Sequence, residues 1–208
     1  MAKGQVLHTI DKAFLDGLVD GLQLQPLTSQ QAEGKPLHRF VRGLIFSTQL
    51  VDFIENNLPN GYHAGWGQLI DDQGEWLSSE NDIIVYRGKP EHEWKTTCLK
   101  FMLVQASQAN VVIQCRAIVR TVDSDLRTYA RQLSEFRSRL WLFAECCWAK
   151  SAQRCEQIRQ DTLSAGYERF FYLYDHSYNS DVTKNYLGWR EFREAIRALD
   201  KEQTRRRR

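Results

Sequence analysis

The chain has 208 residues, 42% of them hydrophobic and 12% aromatic, with a formal net charge of +2. That length supports one substantial core, or at most two small domains, in a globular protein. No run of about 18 apolar residues occurs and the first residues (MAKGQVLHTIDK) lack a signal-peptide core, so a membrane span and a secretory leader are both excluded as expectations.

The cysteines (Cys98, Cys115, Cys146, Cys147, Cys155) are odd in number and without CxxC spacing. That pattern suits a reducing, cytoplasmic location and argues against a disulfide framework. The charge is uneven: residues 1–100 hold 9 Lys/Arg and 13 Asp/Glu, residues 101–208 hold 19 and 13. The basic half can face an anionic partner such as nucleic acid, or simply form a solvated helical surface. The terminal run Arg205 to Arg208 reads as a basic tail, attracted to phosphates without sequence readout.

Leu7, Ile10, Phe14, Leu18 and Leu22 recur at helical spacing, which predicts a helix over Val6–Leu22. Residues 23–36 are polar, broken by Pro26 and Pro36, and read as a loop. A second helix is expected over Leu37–Asn57, stopped by Leu58-Pro59-Asn60-Gly61. Strands follow at Tyr62–Ile70, Asn81–Tyr86, Leu99–Val104 and Val111–Val119, with Asp71-Asp72-Gln73-Gly74 as a hairpin turn. A helix over Asp123–Arg139 has Asp123 or Ser124 as N-cap. Leu140–Cys146 is a buried strand, Ala152–Ala165 a helix, Phe170–Tyr174 another buried strand, and Trp189–Leu199 a closing helix. Antiparallel strands followed by βαβ crossovers imply an α/β fold with a central mixed sheet flanked by helices. The organisation expected is one domain over 1–200 (N-terminal helix and loop 1–35, core 37–174, closing helix 184–200), then the tail 201–208.

Two strands carry the candidate site. Asp82 stands just before Ile83-Ile84-Val85, and Gln114 and Arg116 follow Val111-Val112-Ile113. Side chains alternate along a strand, so Gln114 and Arg116 point one way and Cys115 points the other, with Ile113. A neighbouring strand can bring the Asp82 carboxylate beside them. Paired acidic oxygens opened to water suit Mg²⁺, and a lysine two residues after the second acid orients or deprotonates an attacking water. Here the second strand lacks its acid.

Element order and motif resemble the PD-(D/E)XK, restriction-endonuclease-like superfamily, with its αβββαβ core. Within it the resemblance is to an uncharacterised bacterial branch. That branch runs from a helix ending in Leu-Pro, through a glycine-rich strand, to Ser-x-x-Asp-Ile-Ile and Val-x-x-Val-Ile-Glu-Val-Lys strands. The corresponding parts read FIENNLPNGYHAGWGQLIDDQG, SSENDIIVY and NVVIQCRAIV, within about Leu37 to Tyr174. The resemblance implies Asp82 as the first metal-binding acid, Gln114 in the place of the second, and Arg116 in the place of the lysine. The glutamate that often follows a glycine in the preceding helix is replaced after Gly43 by Ser47, with Glu55 two turns later as a substitute.

Glutamine can offer a carbonyl oxygen to a cation but brings no charge. Arginine keeps its proton, with a pKa above about 12, and so cannot act as a base; it can still grip phosphate through its planar fork. Asp82 and Arg116 could instead pair with each other. The expectation is therefore a nuclease fold with a degraded metal site, holding no cofactor or weakly bound Mg²⁺. It would be a non-catalytic nucleic-acid-binding or assembly subunit, in a setting such as bacterial phage defence. The alternatives are an active Mg²⁺-dependent DNase using Asp82, Gln114 and Arg116, and a protein–protein scaffold. Arg116 and Arg120 are the candidate nucleic-acid contacts.

Gln132-Leu-Ser-Glu-Phe136 resembles the Gln-x-x-x-Tyr helix of one nuclease branch, which makes Gln132 a further auxiliary candidate. Leu126, Tyr129, Leu133 and Phe136 read first as that helix's core face. Trp66, Trp76, Trp94, Tyr62 and Tyr86 read first as core, and otherwise as an aromatic interface with a partner protein or bases. The histidines lack metal-ligand spacing, and neither a P-loop nor a nucleophile elbow occurs.

Overall fold

The computed structural model describes residues 39–75, 77, 78, 81–95, 100–134, 139–149, 151–176 and 183–199. The expected helix Val6–Leu22, the loop 23–36 and the basic tail lie outside these residues. Helix α1 (Arg39–Glu55) leads into β1 (Tyr62–Ile70), β2 (Asn81–Arg87), β3 (His92–Lys95), β4 (Lys100–Gln105) and β5 (Ala109–Val119). Then come α2 (Ser124–Ser134), β6 (Arg139–Trp148), α3 (Ala152–Ser164), β7 (Arg169–His176), β8 (Thr183–Lys184) and α4 (Tyr186–Arg197). All eight strands join one sheet in the order β3-β4-β1-β2-β5-β6-β7-β8.

The expected mixed sheet is present. β1, β2 and β5 form an antiparallel meander, and β5, β6 and β7 run parallel. The α1-β1-β2-β5-α2-β6 path is the αβββαβ order. The hairpin turn after β1 forms as expected: the Asp71 carboxylate accepts from the backbone N–H of Gln73 and of Glu75, both at 2.8 Å. Gly74 closes the turn at φ +86°, a left-handed conformation that favours glycine.

Two expectations are corrected. The strand near Leu99–Val104 does not continue the antiparallel β1–β2–β5 run. β4 lies parallel to β1, with β3 folded back on its outer edge. β3 had no signal in the sequence because all four of its residues are exposed, so no apolar alternation marks it. The helix expected to reach Arg139 is described to Ser134, and Arg139 instead opens β6 opposite Val111. Its guanidinium pairs with Glu168 at 2.5 Å and lies over the Trp141 ring, which anchors it at the sheet.

The sheet buries both faces. On one, Ile83, Val85, Val111, Ile113, Trp141 and Phe143 pack against α1 and α4. Aromatic rings knit this layer, with Phe53 against Trp189 at 4.4 Å and Phe143 against Phe192 at 4.6 Å. On the other, Ile84, Val112, Leu140 and Leu142 meet Leu126, Ala130 and Leu133 of α2 and Ile158 of α3. β6 is the innermost parallel strand, which explains its near-continuous apolar run. Among the described residues no helix is long and apolar enough to cross a membrane.

Candidate functional site

The antiparallel ladder pairs Ile83 with Ile113, so the next step along it brings Asp82 beside Gln114. Ile84 and Val112 belong to the α2 face, and alternation puts Asp82, Gln114 and Arg116 on that face too. Cys115 packs with Ile113 on the α1 face, and there the Ser47 hydroxyl hydrogen-bonds its thiol. Ser47 is thus brought to β5, but from behind the pleat that carries Asp82.

One oxygen of Asp82 takes two donors. The Gln114 amide nitrogen donates to Oδ2, as does the backbone N–H of Cys115 at 2.7 Å. A carboxylate only accepts, so the amide turns its NH₂ toward Asp82 and its carbonyl oxygen away. The Arg116 side chain is partly buried, and its Nε has no hydrogen-bond partner among the described residues. A buried guanidinium N–H without a partner carries an unrecovered desolvation cost.

Two tyrosines complete the surroundings, and sequence reading missed both as site residues. Tyr129 packs on the core face of α2 as its spacing predicts, and no sequence signal marks Tyr167. The Tyr167 hydroxyl donates to the Leu126 carbonyl at 3.1 Å. Gly166, at φ +108°, turns the chain out of α3 and sets Tyr167 in place. Burial pushes the Tyr129 phenol well above its usual range, and the negative charge of Asp82 adds to this, while Arg116 opposes it. Burial also raises Tyr167; Arg116 pulls it down, and Asp123 and Asp82 push it up. The Cys115 thiol is likewise raised well above its usual range, by burial first and Asp82 second.

These shifts predict alkaline lability. A group whose folded pKa is raised lends stability that is complete below its unfolded pKa and is lost as pH rises toward the folded one. The unfolded values are about 8.5 for Cys and about 10 for Tyr. The urea midpoint should therefore hold near neutrality, start to fall above about pH 9 and fall faster above about pH 10. Tyr129→Phe should flatten part of that fall. A midpoint unchanged to pH 11 would count against the buried neutral phenols.

The other candidates lie elsewhere. Glu55 Oε1 accepts from Lys100 Nζ at 2.9 Å and from the Ala64 backbone at 3.3 Å, which ties α1 to β1 and β4. Gln132 sits on α2 one turn beyond Tyr129 and is exposed. Arg120 is exposed past the end of β5, its guanidinium 4.6 Å from the Trp148 ring centroid. Arg154 Nη2 donates to the Arg120 carbonyl at 3.4 Å, making a basic corner where β5, β6 and α3 meet. Of the aromatic group, Tyr62 and Tyr86 are core as expected, whereas Trp94 is 54% exposed on edge strand β3.

No protein-family model matches the chain, and comparison with curated proteins finds no sequence match. Solved structures do. The chain is similar to NucC of P. aeruginosa ATCC27853 in its cAAA-bound form, with a TM-score of 0.62 and 12% identity, over 96% of this chain and 91% of that one. It is also similar to NucC of E. coli MS115-1, cAAA-bound, with a TM-score of 0.53 and 14% identity, over 90% and 89%. Topology and likeness together bear out the expected restriction-endonuclease-like α/β fold.

Proposed function

We propose that this chain binds nucleic acid through a nuclease-like pocket in which Arg116 grips a phosphate, and that the pocket no longer supports efficient phosphodiester cleavage. The observation that carries this reading is the hydrogen bond from the Gln114 amide to Asp82. Where an active site would set two carboxylates around a cation, this pocket sets one carboxylate already engaged by an amide and a backbone N–H. Mg²⁺ demands several oxygen donors in near-octahedral array. Asp82 alone, with an amide nitrogen facing it and a guanidinium two residues on, does not fit that demand. Arg116 fits an anion instead. Arg120 and Arg154, at the corner past the end of β5, would extend the contact to further phosphates. A bacterial phage-defence assembly is the setting that the superfamily resemblance suggests.

The test is plasmid and oligonucleotide cleavage with Mg²⁺ or Mn²⁺, beside Asp82→Ala, with binding measured in parallel. The expected result is salt-sensitive binding and no cleavage above the Asp82→Ala background. Metal-dependent cleavage that Asp82→Ala removes would establish the active DNase instead. The scaffold reading is favoured by one observation, the exposed Trp94 on edge strand β3. It would be chosen by an absence of both binding and cleavage together with a stable complex with another chain.

A further inference from the structure

Cys147 and Cys155 are eight residues apart in sequence, and their sulfurs lie 3.2 Å apart. Cys147 is fully buried near the end of β6, and Cys155 is partly buried on the first turn of α3. The adjacent cysteines of β6 separate between the two cores. Cys146 belongs to the α1–α4 side and Cys147 to the α2–α3 side, against which Cys155 also packs. Cys147, not Cys146, therefore meets Cys155. The Cys155 thiol also donates to the Tyr172 hydroxyl at 3.2 Å, which orients it on β7.

We infer that Cys147 and Cys155 form a peroxide-responsive thiol pair, a modification site that closes to an intrachain disulfide. Closing it needs an approach of roughly one ångström, to the S–S bond length of about 2.05 Å. A peroxide oxidises the more accessible Cys155 thiol to sulfenic acid and is itself reduced, with hydrogen peroxide giving one water. The Cys147 sulfur then attacks the sulfenic sulfur, the S–S bond forms, and the oxygen leaves with the Cys147 proton as a second water. Two thiols and one hydrogen peroxide thus yield one disulfide and two waters. The bond clamps the first turn of α3 to β6. It sits next to Trp148, which carries Arg120, and to Arg154, which holds the Arg120 carbonyl. Oxidation would thereby hold the basic corner in one arrangement. The pair is a switch placed by the tertiary fold, compatible with a chain that otherwise keeps its cysteines reduced.

The experiment treats the full chain with stoichiometric hydrogen peroxide, removes the excess with catalase, and alkylates under denaturing conditions before non-reducing peptide mapping. Alkylatable cysteines should fall from five to three, with a peptide linking Cys147 to Cys155. Dithiothreitol should reverse this. The thermal midpoint should rise by several degrees on oxidation, and Cys155→Ala should abolish the rise while Cys146→Ala keeps it. The mapping on the natural sequence stands whether or not either variant folds. Retention of all the thiols, a link through any other cysteine, or Cys155 found as sulfinic acid without a link would overturn the inference.

Discussion

Arg116→Ala should weaken the binding of a short DNA duplex by roughly ten- to a hundredfold. A hydrogen bond to a charged group is worth about 1.5–3 kcal/mol, and each 1.4 kcal/mol is about a factor of ten. The effect should be large because the Arg116 Nε is buried and has no hydrogen-bond partner among the described residues. The guanidinium is therefore not engaged through Nε before the ligand arrives. Fluorescence anisotropy across a salt series checks this, and the salt slope should shrink by about one when the phosphate contact is lost. Asp82→Asn is the informative companion. An asparagine oxygen can still accept from Cys115 N–H and from the Gln114 amide, so the local hydrogen bonds persist while a negative charge leaves the pocket. Binding should then tighten at low salt. A variant that binds more weakly would mean that Asp82 itself contacts the ligand, directly or through a cation. That result would restore the metal-site reading.

Gly67→Ala should be among the most destabilising single changes in the chain, costing about 3 kcal/mol or more. Gly67 stands opposite Met102 in the parallel β1–β4 ladder, at an irregularity in the β1–β2 register. A Cβ there would lie 1.9 Å from the Met102 carbonyl oxygen and 2.8 Å from its carbonyl carbon. These are backbone atoms, which cannot swing aside as a side chain would. β4 must move off β1 and carry β3 with it, so the outer edge of the sheet loosens. At about 2–3 kcal/mol per molar urea for a chain of this size, the unfolding midpoint should drop by roughly 1 M. Thr128→Ala, on the exposed face of α2, should change stability by no more than about 0.5 kcal/mol. Equal midpoints for Gly67→Ala and the natural chain would show that β1 and β4 are not held as closely as described.

The two variants probe different layers of one architecture. Arg116 reports on what the pocket binds, and Gly67 on the sheet edge beyond it. The pocket's three sequence-predicted residues share one face because β2 and β5 pair in a register that puts Ile83 and Ile113 on one side and Ile84 and Val112 on the other. A one-residue slip would swap the apolar sets between the two covered faces and carry Asp82 off the face of Gln114.

Much of this was legible in the residues. Tyr62–Ile70 is β1 as expected, because a strand stopped by Asn60-Gly61 on one side and the Asp71-Asp72-Gln73-Gly74 turn on the other leaves little choice. Asp123 caps α2 as expected, its carboxylate accepting from Leu126 N–H at 2.9 Å. The pleat of β5 was legible from Val111 to Cys115, where a period of two needs no partner to be read, whereas Ile118 returns to the face of Cys115 and breaks it. The parallel course of β4 was not, because strand direction depends on the chain path between β2 and β4 and not on the pattern inside KFMLVQ. Glu55 looked available for the pocket only until β4 brought Lys100 beside it.

The residues alone therefore encode what is local and periodic: which segments are strands and helices, which faces are apolar, and that Asp82, Gln114 and Arg116 differ from an acid–acid–lysine set. The three-dimensional packing supplies the relations between elements. It turned the Gln114 amide toward Asp82, because an acceptor-only carboxylate next door dictates which end of an amide may face it. It surrounded the site with Tyr129 and Tyr167 from α2 and the turn after α3, and it brought Cys147 and Cys155 together across a strand–helix junction. Periodicity encodes which side of an element a residue occupies, but distances between elements arise only when several apolar faces are buried at once.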